Sequence, residues 1–184
     1  TTSWISIAIF GSLPFIFSDL GLSFTDAFFE SMSGITTTGS TILSGLDNLP
    51  HGILIWRALL QWIGGIGIIV IAIAFLPILK VGGMQLFHTE SSESSEKVLP
   101  RAAQIASIIG IIYLFLTILC SGLLYFFGMP VFDSIAHSMT TLATGGFSTS
   151  DMSIGKYDNV NIELIISLFM ILGSLPFVLY LQTL

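Results

Sequence analysis

Two short runs of small residues stand out as able to do chemistry: Thr36-Thr37-Thr38-Gly39-Ser40-Thr41 and Ala143-Thr144-Gly145-Gly146-Phe147-Ser148. No side chain larger than threonine precedes Gly39 in the first run or Gly146 in the second. Glycine adopts backbone angles with positive φ that other residues avoid, so an extended strand centred on either can turn successive carbonyls to one side. Carbonyl oxygens presented in a ring replace the water shell of a monovalent cation. A re-entrant turn that merely joins two helices is the plainer reading of one such run, but two aligned copies favour the cation filter.

The copies are related by a shift of 107 positions, which superposes Asp26 on Asp133, Ser31 on Ser138, Met32 on Met139, Thr37 on Thr144 and Gly39 on Gly146. A repeat of this kind decides architecture before any single motif does. In each copy a short helix must precede the run. Ser23 or Thr25 in the first, and the turn Gly128-Met129-Pro130 in the second, can start it, and Asp26 and Asp133 then fall in its first turn, where the helix dipole favours a carboxylate. Some ten residues of helix cannot cross a bilayer, so the segment dips in and returns, which is tolerated where its backbone is packed in protein or lines a water-filled cavity. The negative C-terminal end of each short helix then points at the small-residue run.

The elements around these segments are spans. The chain has 184 residues, 53% apolar and only 9% charged, against about a quarter charged in soluble domains. Thr1 to Ser18 carries no charge, His51 to Leu79 carries only Arg57, Ala102 to Gly128 carries none, and the chain after Glu163 is uncharged to Leu184. About 20 apolar helical residues cross the hydrocarbon core, so the unit is span, short re-entrant segment, span, occurring twice. The first stretch is marginal; it lacks the basic leader and small-residue cleavage site of a signal peptide and reads as a spanning helix missing its beginning. Because the chain opens on Thr1-Thr2 and stops inside an apolar run, it is expected to be part of a larger protein. The polar segment from Lys80 to Arg101, with its acidic, serine-rich centre Glu90 to Glu96, reads as a solvated loop, and its flanking Lys80, Lys97 and Arg101 place it in the cytoplasm by the positive-inside rule.

Composition also removes whole classes of function. Five basic residues against eleven acidic ones, a net charge of −6 with no basic cluster, lack the electrostatic footprint of nucleic-acid binding. The lone Cys120 excludes a disulfide within the chain. His51, His88 and His137 lie apart, so a histidine metal site is not expected. No HExxH, GxSxG or paired aspartates occur in the spans, so an intramembrane enzyme is disfavoured. A non-conducting scaffold leaves the two glycine-centred segments without a purpose.

The segments ESMSGITTTGST (Glu30 to Thr41), LPHGILIWRALLQWIGGIGIIVIAIAFLPIL (Leu49 to Leu79), VGGMQLF (Val81 to Phe87) and LATGGFST (Leu142 to Thr149) closely resemble the Trk/Ktr/HKT superfamily of cation transporters, most of all its bacterial TrkH/TrkG-type potassium uptake subunits. The resemblance implies an all-α membrane fold in which four helix–filter–helix repeats of potassium-channel-like architecture, in one polypeptide, enclose a pore. Two are present here. The first covers residues 1–80, with an outer helix, a pore helix at 24–34, a filter at 35–41 and an inner helix at 50–79. Residues 81–101 form a cytoplasmic linker, and 102–184 the second repeat, with an outer helix at 102–128, a pore helix at 131–142, a filter at 143–149 and an incomplete inner helix at 162–184. By position the filter residues are Thr37, Thr38, Gly39 and Ser40 in one repeat and Thr144, Gly145, Gly146 and Phe147 in the next. Potassium would be held by backbone carbonyls of Thr37, Thr38, Gly39, Thr144, Gly145 and Gly146, with no covalent cofactor. The resemblance further implies uptake of potassium across a bacterial inner membrane, a homodimer in the lipid bilayer, and a cytosolic ring of nucleotide-binding regulatory subunits as partner. A sodium-permeable or ion-coupled symporter of the same superfamily is the alternative.

Individual residues carry further expectations. Arg57, the one charge embedded in a span, is a candidate for ion-path work, but the structural reading is preferred: it reaches the headgroups or pairs with a carboxylate such as Asp47. Gly64-Gly65-Ile66-Gly67 reads as a close-packing face rather than a hinge. His137 aligns with Glu30 and is expected to contact protein or water. Trp56, Trp62 and Tyr125 read as anchors at the membrane interface.

Overall fold

The computed structural model describes residues 2–79, 98–177 and 180, and every regular element among them is helical. The order is α1 (Thr2–Ile16), α2 (Phe24–Ile35), a short 3-10 turn (Leu46–Asn48), α3 (His51–Leu79), α4 (Val98–Phe126), α5 (Val131–Leu142), a second 3-10 turn (Ser153–Tyr157) and α6 (Val160–Ser174). Long helix, short amphipathic helix, irregular small-residue segment and long helix therefore occur twice.

Local chemistry sets the ends of the short helices. Ser23 caps α2: its side chain accepts from the Asp26 amide, and its hydroxyl donates to the Asp26 carboxylate at 2.8 Å. Ser23, and not Thr25, is thus the starter. Pro130 precedes α5, whose missing N–H is no loss at a helix start. Both helices close in the same way. Thr37 N–H bonds to Gly34 O and Thr38 N–H to Ser33 O, while Thr144 N–H bonds to Thr141 O and Gly145 N–H to Thr140 O. This is the paired bonding of a Schellman ending, reproduced at positions 107 apart.

Each repeat has its own apolar core. Ala8, Phe15, Ala27, Ile35, Ile53 and Leu60 form the first, and Ile109, Tyr113, Leu124, Leu142, Ile162 and Phe169 are among the members of the second. Helix α3 joins them, packing on α2 of its own repeat and on α5 of the next. Small residues let it do so. A Cβ at Gly64 would overlap the Ile35 carbonyl at the end of α2, and one at Gly65 would meet Ala143 at 3.1 Å, so this glycine run is a packing face towards both short helices. Outward, α1 and α4 present Phe10, Ile111, Phe115 and Phe126 to the surroundings. Among the described residues Ala106–Phe126 is long and apolar enough to cross a membrane, and Trp4–Ile16 and Val160–Ser174 are shorter apolar helices.

Several expectations change. The inner helix expected at 162–184 begins at Val160 and is broken after Ser174, because Leu175 precedes Pro176 and is forced into extended backbone with ψ 143°; Phe177 and Tyr180 are helical again, and 178, 179 and 181–184 lie outside the described residues. The linker expected to end at 101 yields its last residues to α4, which begins at Val98. Trp56 and Trp62 use their indole N–H inside the protein: Trp56 donates to Gly11 O at 2.9 Å, and Trp62 to Thr117 Oγ1 at 3.0 Å. These bonds brace neighbouring helices, and Tyr125 is exposed. The serine-rich loop, the VGGMQLF segment and His88 lie outside the described residues.

Candidate selectivity filter

The two small-residue runs leave the C-terminal ends of α2 and α5 as irregular segments with matching backbone, called filter strands below. Thr37 has φ 54° and Thr144 φ 51°, while Gly39 has φ 81° and Gly146 φ 82°. The threonines take up their left-handed angles at the paired-bond helix endings and the glycines two residues further on, so both runs leave their helices with the same backbone shape. For glycine this conformation is free; for a β-branched threonine it is strained, by roughly 1–2 kcal/mol. Two strained threonines at equivalent positions mark a backbone shape imposed by its surroundings, as at functional sites. The expectation singled out the glycines; the threonines carry the cost.

The strands then differ in how they are held. In the first, Ser33 of α2 donates its hydroxyl to Ser40 O at 2.6 Å, turning that carbonyl back towards the helix. Thr41 donates to Glu30 at 2.8 and 3.0 Å, and Ile42 N–H donates to the same carboxylate at 3.1 Å. In the second, His137 occupies the place of Glu30. Its Nδ1 lies 2.8 Å from Asp133 O and its Nε2 3.1 Å from Ser148 Oγ, so Nδ1–H donates to the carbonyl and Nε2 accepts from the serine. Ser148 is the counterpart of Thr41. Each short helix therefore braces the exit of its own strand from equivalent positions, by a carboxylate in one repeat and an imidazole in the other, and α5 adds a second brace, Thr149 donating to the Asp133 carboxylate at 2.6 Å.

Helix α3 ties the strands together. Arg57 is 1% exposed and Glu30 wholly buried, and they form an ion pair at 2.7 Å. The guanidinium also donates to Thr41 Oγ1 and to Ser148 O, both at 3.0 Å, and lies 4.2 Å from the centre of the Phe147 ring. Arg57 thus reaches neither the headgroups nor Asp47. A buried cation needs a buried anion, and Glu30 is the one the fold supplies. One turn further along α3, Gln61 donates Nε2–H to Gly145 O at 2.8 Å and accepts from Phe147 N–H at 3.1 Å. Gly145 is buried, whereas Thr144 and Gly146 beside it are exposed. One lone pair of the Gly145 carbonyl is therefore committed to Gln61. Gly146 borders a cavity of about 260 Å³ shared with His137, Ile166 and Met170.

Outside the strands a second set of bonds crosses between repeats. Asp47 pairs with Lys156 at 3.0 Å and accepts from Ser150 Oγ and Asp151 N–H, while Leu46 N–H donates to Asp151 at 3.1 Å. The Lys156 ammonium and the Ser150 hydroxyl hold the Asp47 carboxyl below its ordinary value. His51 stacks on Phe132 with ring centroids 4.1 Å apart. Among the described residues no cluster of histidine, cysteine and carboxylates could hold a metal ion.

Glu30, Ser33 and Gln61 were missed as site residues by sequence reasoning. A signal for two of them existed: an embedded Arg57 requires a carboxylate, Glu30 lies mid-way along a helix aimed at the strand, and Gln61 follows Arg57 by one turn in an apolar helix.

A family model described as a cation transport protein, TrkH, matches residues 1–184. The chain is 52% identical over 183 residues to the Trk system potassium uptake protein TrkI of Halomonas elongata, covering 99% of this chain and 37% of that protein. It is likewise 52% identical to TrkH of Escherichia coli K12, over 93% of this chain and 36% of that one. The crystal structure of the potassium transporter TrkH from Vibrio parahaemolyticus superposes with a TM-score of 0.84 at 46% identity, covering 97% of this chain and 35% of that chain. The chain thus spans little more than a third of the length of its relatives, and across that third it belongs to the TrkH family of cation transport proteins.

Proposed function

We propose that this chain forms two of the four sides of a potassium-uptake pore, with Thr37, Thr38, Gly39 and Ser40 and Thr144, Gly145, Gly146 and Phe147 as its filter segments. The observation that carries the reading is the pair of strands with left-handed backbone at equivalent positions, 37 and 39 and 144 and 146. Each strand follows a short helix whose negative end faces it. Potassium is the cargo, shed of its water against the carbonyls of Thr37, Thr38, Gly39, Thr144 and Gly146, with Gly145 a weaker contributor because Gln61 draws on its oxygen. Transport needs no covalent chemistry, and the named relatives are potassium uptake proteins.

The remaining pore repeats of the polypeptide complete the ring. The protein is multi-pass in a bacterial inner membrane, with the filters and the Asp47–Lys156 pair outside and residues 81–101 in the cytoplasm. Its partners are the bilayer, a second copy, and a cytosolic ring of nucleotide-binding subunits. Selectivity in carbonyl sites depends on the number and field strength of the ligands, and one short strand per repeat supplies few layers in series. The expected outcome is potassium over sodium, with weaker discrimination than a long channel filter gives, and with rubidium permeant. Competition flux in liposomes containing the full-length protein tests this. Equal apparent affinity for sodium and potassium would overturn it and favour the sodium-permeable alternative; absence of cation flux would favour a scaffold.

A further inference from the structure

We propose that Gln61 is a positioning residue that sets ion discrimination, by stapling the second filter strand from the neighbouring repeat. It rests on the filter reading above. Gln61 is wholly buried on α3, a helix of the first repeat, yet both of its hydrogen bonds go to the backbone of the second. Nε2–H donates to Gly145 O at 2.8 Å and Oε1 accepts from Phe147 N–H at 3.1 Å. These groups flank Gly146. That glycine has positive φ, and a Cβ there would meet nothing within 4 Å, so packing does not restrain it. The staple does, by fixing the peptide planes on either side.

The amide has one workable orientation. Turned over, its oxygen would face the Gly145 carbonyl and its NH₂ the Phe147 N–H, leaving four buried polar groups unpaired. The staple is thus rigid as well as buried. It also lies at the seam between strands: a Cβ on Gly39 would overlap the Gly145 carbonyl and come within 3.7 Å of Gln61 Nε2. A donor on the Gly145 oxygen lowers the charge that this carbonyl offers to an ion, so Gln61 adjusts field strength as well as shape. The device is not a general feature of the repeat. The position equivalent to Gln61 is Leu168, 53% exposed, and that equivalent to Arg57 is Leu164, 63% exposed. Helix α6 thus carries neither the amide nor the guanidinium with which α3 reaches the neighbouring strand.

The test uses the full-length protein in liposomes, with wild type measured first. Wild type without potassium selectivity would refute the filter reading itself. With wild type selective, Gln61→Met keeps the side-chain volume and removes both bonds. Expected is a fall in the potassium-to-sodium uptake ratio of about fivefold, the factor that one lost hydrogen bond represents, with a raised half-saturation for potassium and normal abundance. Gln61→Glu keeps the acceptor for Phe147 N–H but sets a carboxylate oxygen against Gly145 O, and lowers the ratio in the same direction. A ratio within about twofold of wild type in Gln61→Met, smaller than one hydrogen bond accounts for, would overturn the proposal. If Gln61→Met does not accumulate, Gln61→Glu decides by the same ratio; failure of both to accumulate would also overturn it, by making Gln61 a folding residue alone.

Discussion

Breaking the Arg57–Glu30 pair one partner at a time should show whether the clamp between the strands depends on charge. Both groups are buried, at 1% and 0% exposure, and separated by 2.7 Å. Removing one partner from such a pair leaves an uncompensated buried charge, at a cost of about 3–5 kcal/mol. The two deletions are not equivalent. In Glu30→Gln the amide oxygen still accepts from Thr41 or Ile42, and Arg57 keeps Ser148 O, Thr41 Oγ1 and the Phe147 ring, which places the loss near the lower end, about 3 kcal/mol. In Arg57→Met the Glu30 carboxylate keeps one hydroxyl and one amide donor but loses its cation, and the second strand loses its contact at Ser148, which places the loss near about 5 kcal/mol. The double variant removes both charges together. Its loss should fall short of the sum by about 2–3 kcal/mol, as for coupled neighbours. Denaturant unfolding of the full-length protein in detergent, followed by tryptophan fluorescence, measures all four corners of this cycle. Single variants each within about 1 kcal/mol of wild type, with additive losses, would refute the argument that this pair holds the strands by charge.

Two further outcomes follow from the same geometry. Gly39→Ala should be the more damaging of the two filter-glycine replacements: its Cβ would overlap the Gly145 carbonyl, whereas Gly146→Ala faces open space and bears only the left-handed strain of roughly 1–2 kcal/mol; equal abundance and thermal stability of the two variants would contradict this. The Asp47 cross-link between the outer loops should be acid-labile. Its carboxyl is held below the ordinary 3.8, so its contribution is present above that value and is lost as pH falls through the lower folded-state value; the stability difference between wild type and Asp47→Asn should be visible near neutral pH and close below that point, and a difference that is unchanged in acid would contradict the pairing.

The architecture is legible along the chain, because the features that encode it are local. A charge-free stretch such as Ala102 to Gly128 has few places to go but a bilayer. A cap at Ser23 followed by Asp26 starts a helix wherever it lies, and the shift of 107 positions exposes the repeat without reference to any contact. The small-residue runs likewise announced themselves, since only glycine takes up positive φ without strain. What joins the repeats was decided by the tertiary structure. Arg57 had several carboxylates within plausible reach along the chain, and Asp47 lies nearer to it in sequence than Glu30; the closing angle between α2 and α3, set by Gly64 against the end of α2 and by Gly34 against Leu60, chose Glu30. The strain at Thr37 and Thr144 was equally invisible, because β-branched residues prefer negative φ and only a helix ending shared by both repeats holds them positive. Gln61 reads in sequence as one polar residue in an apolar helix. Its meaning depends on which backbone it meets across the seam, a contact between residues more than 80 positions apart that no spacing along the chain encodes.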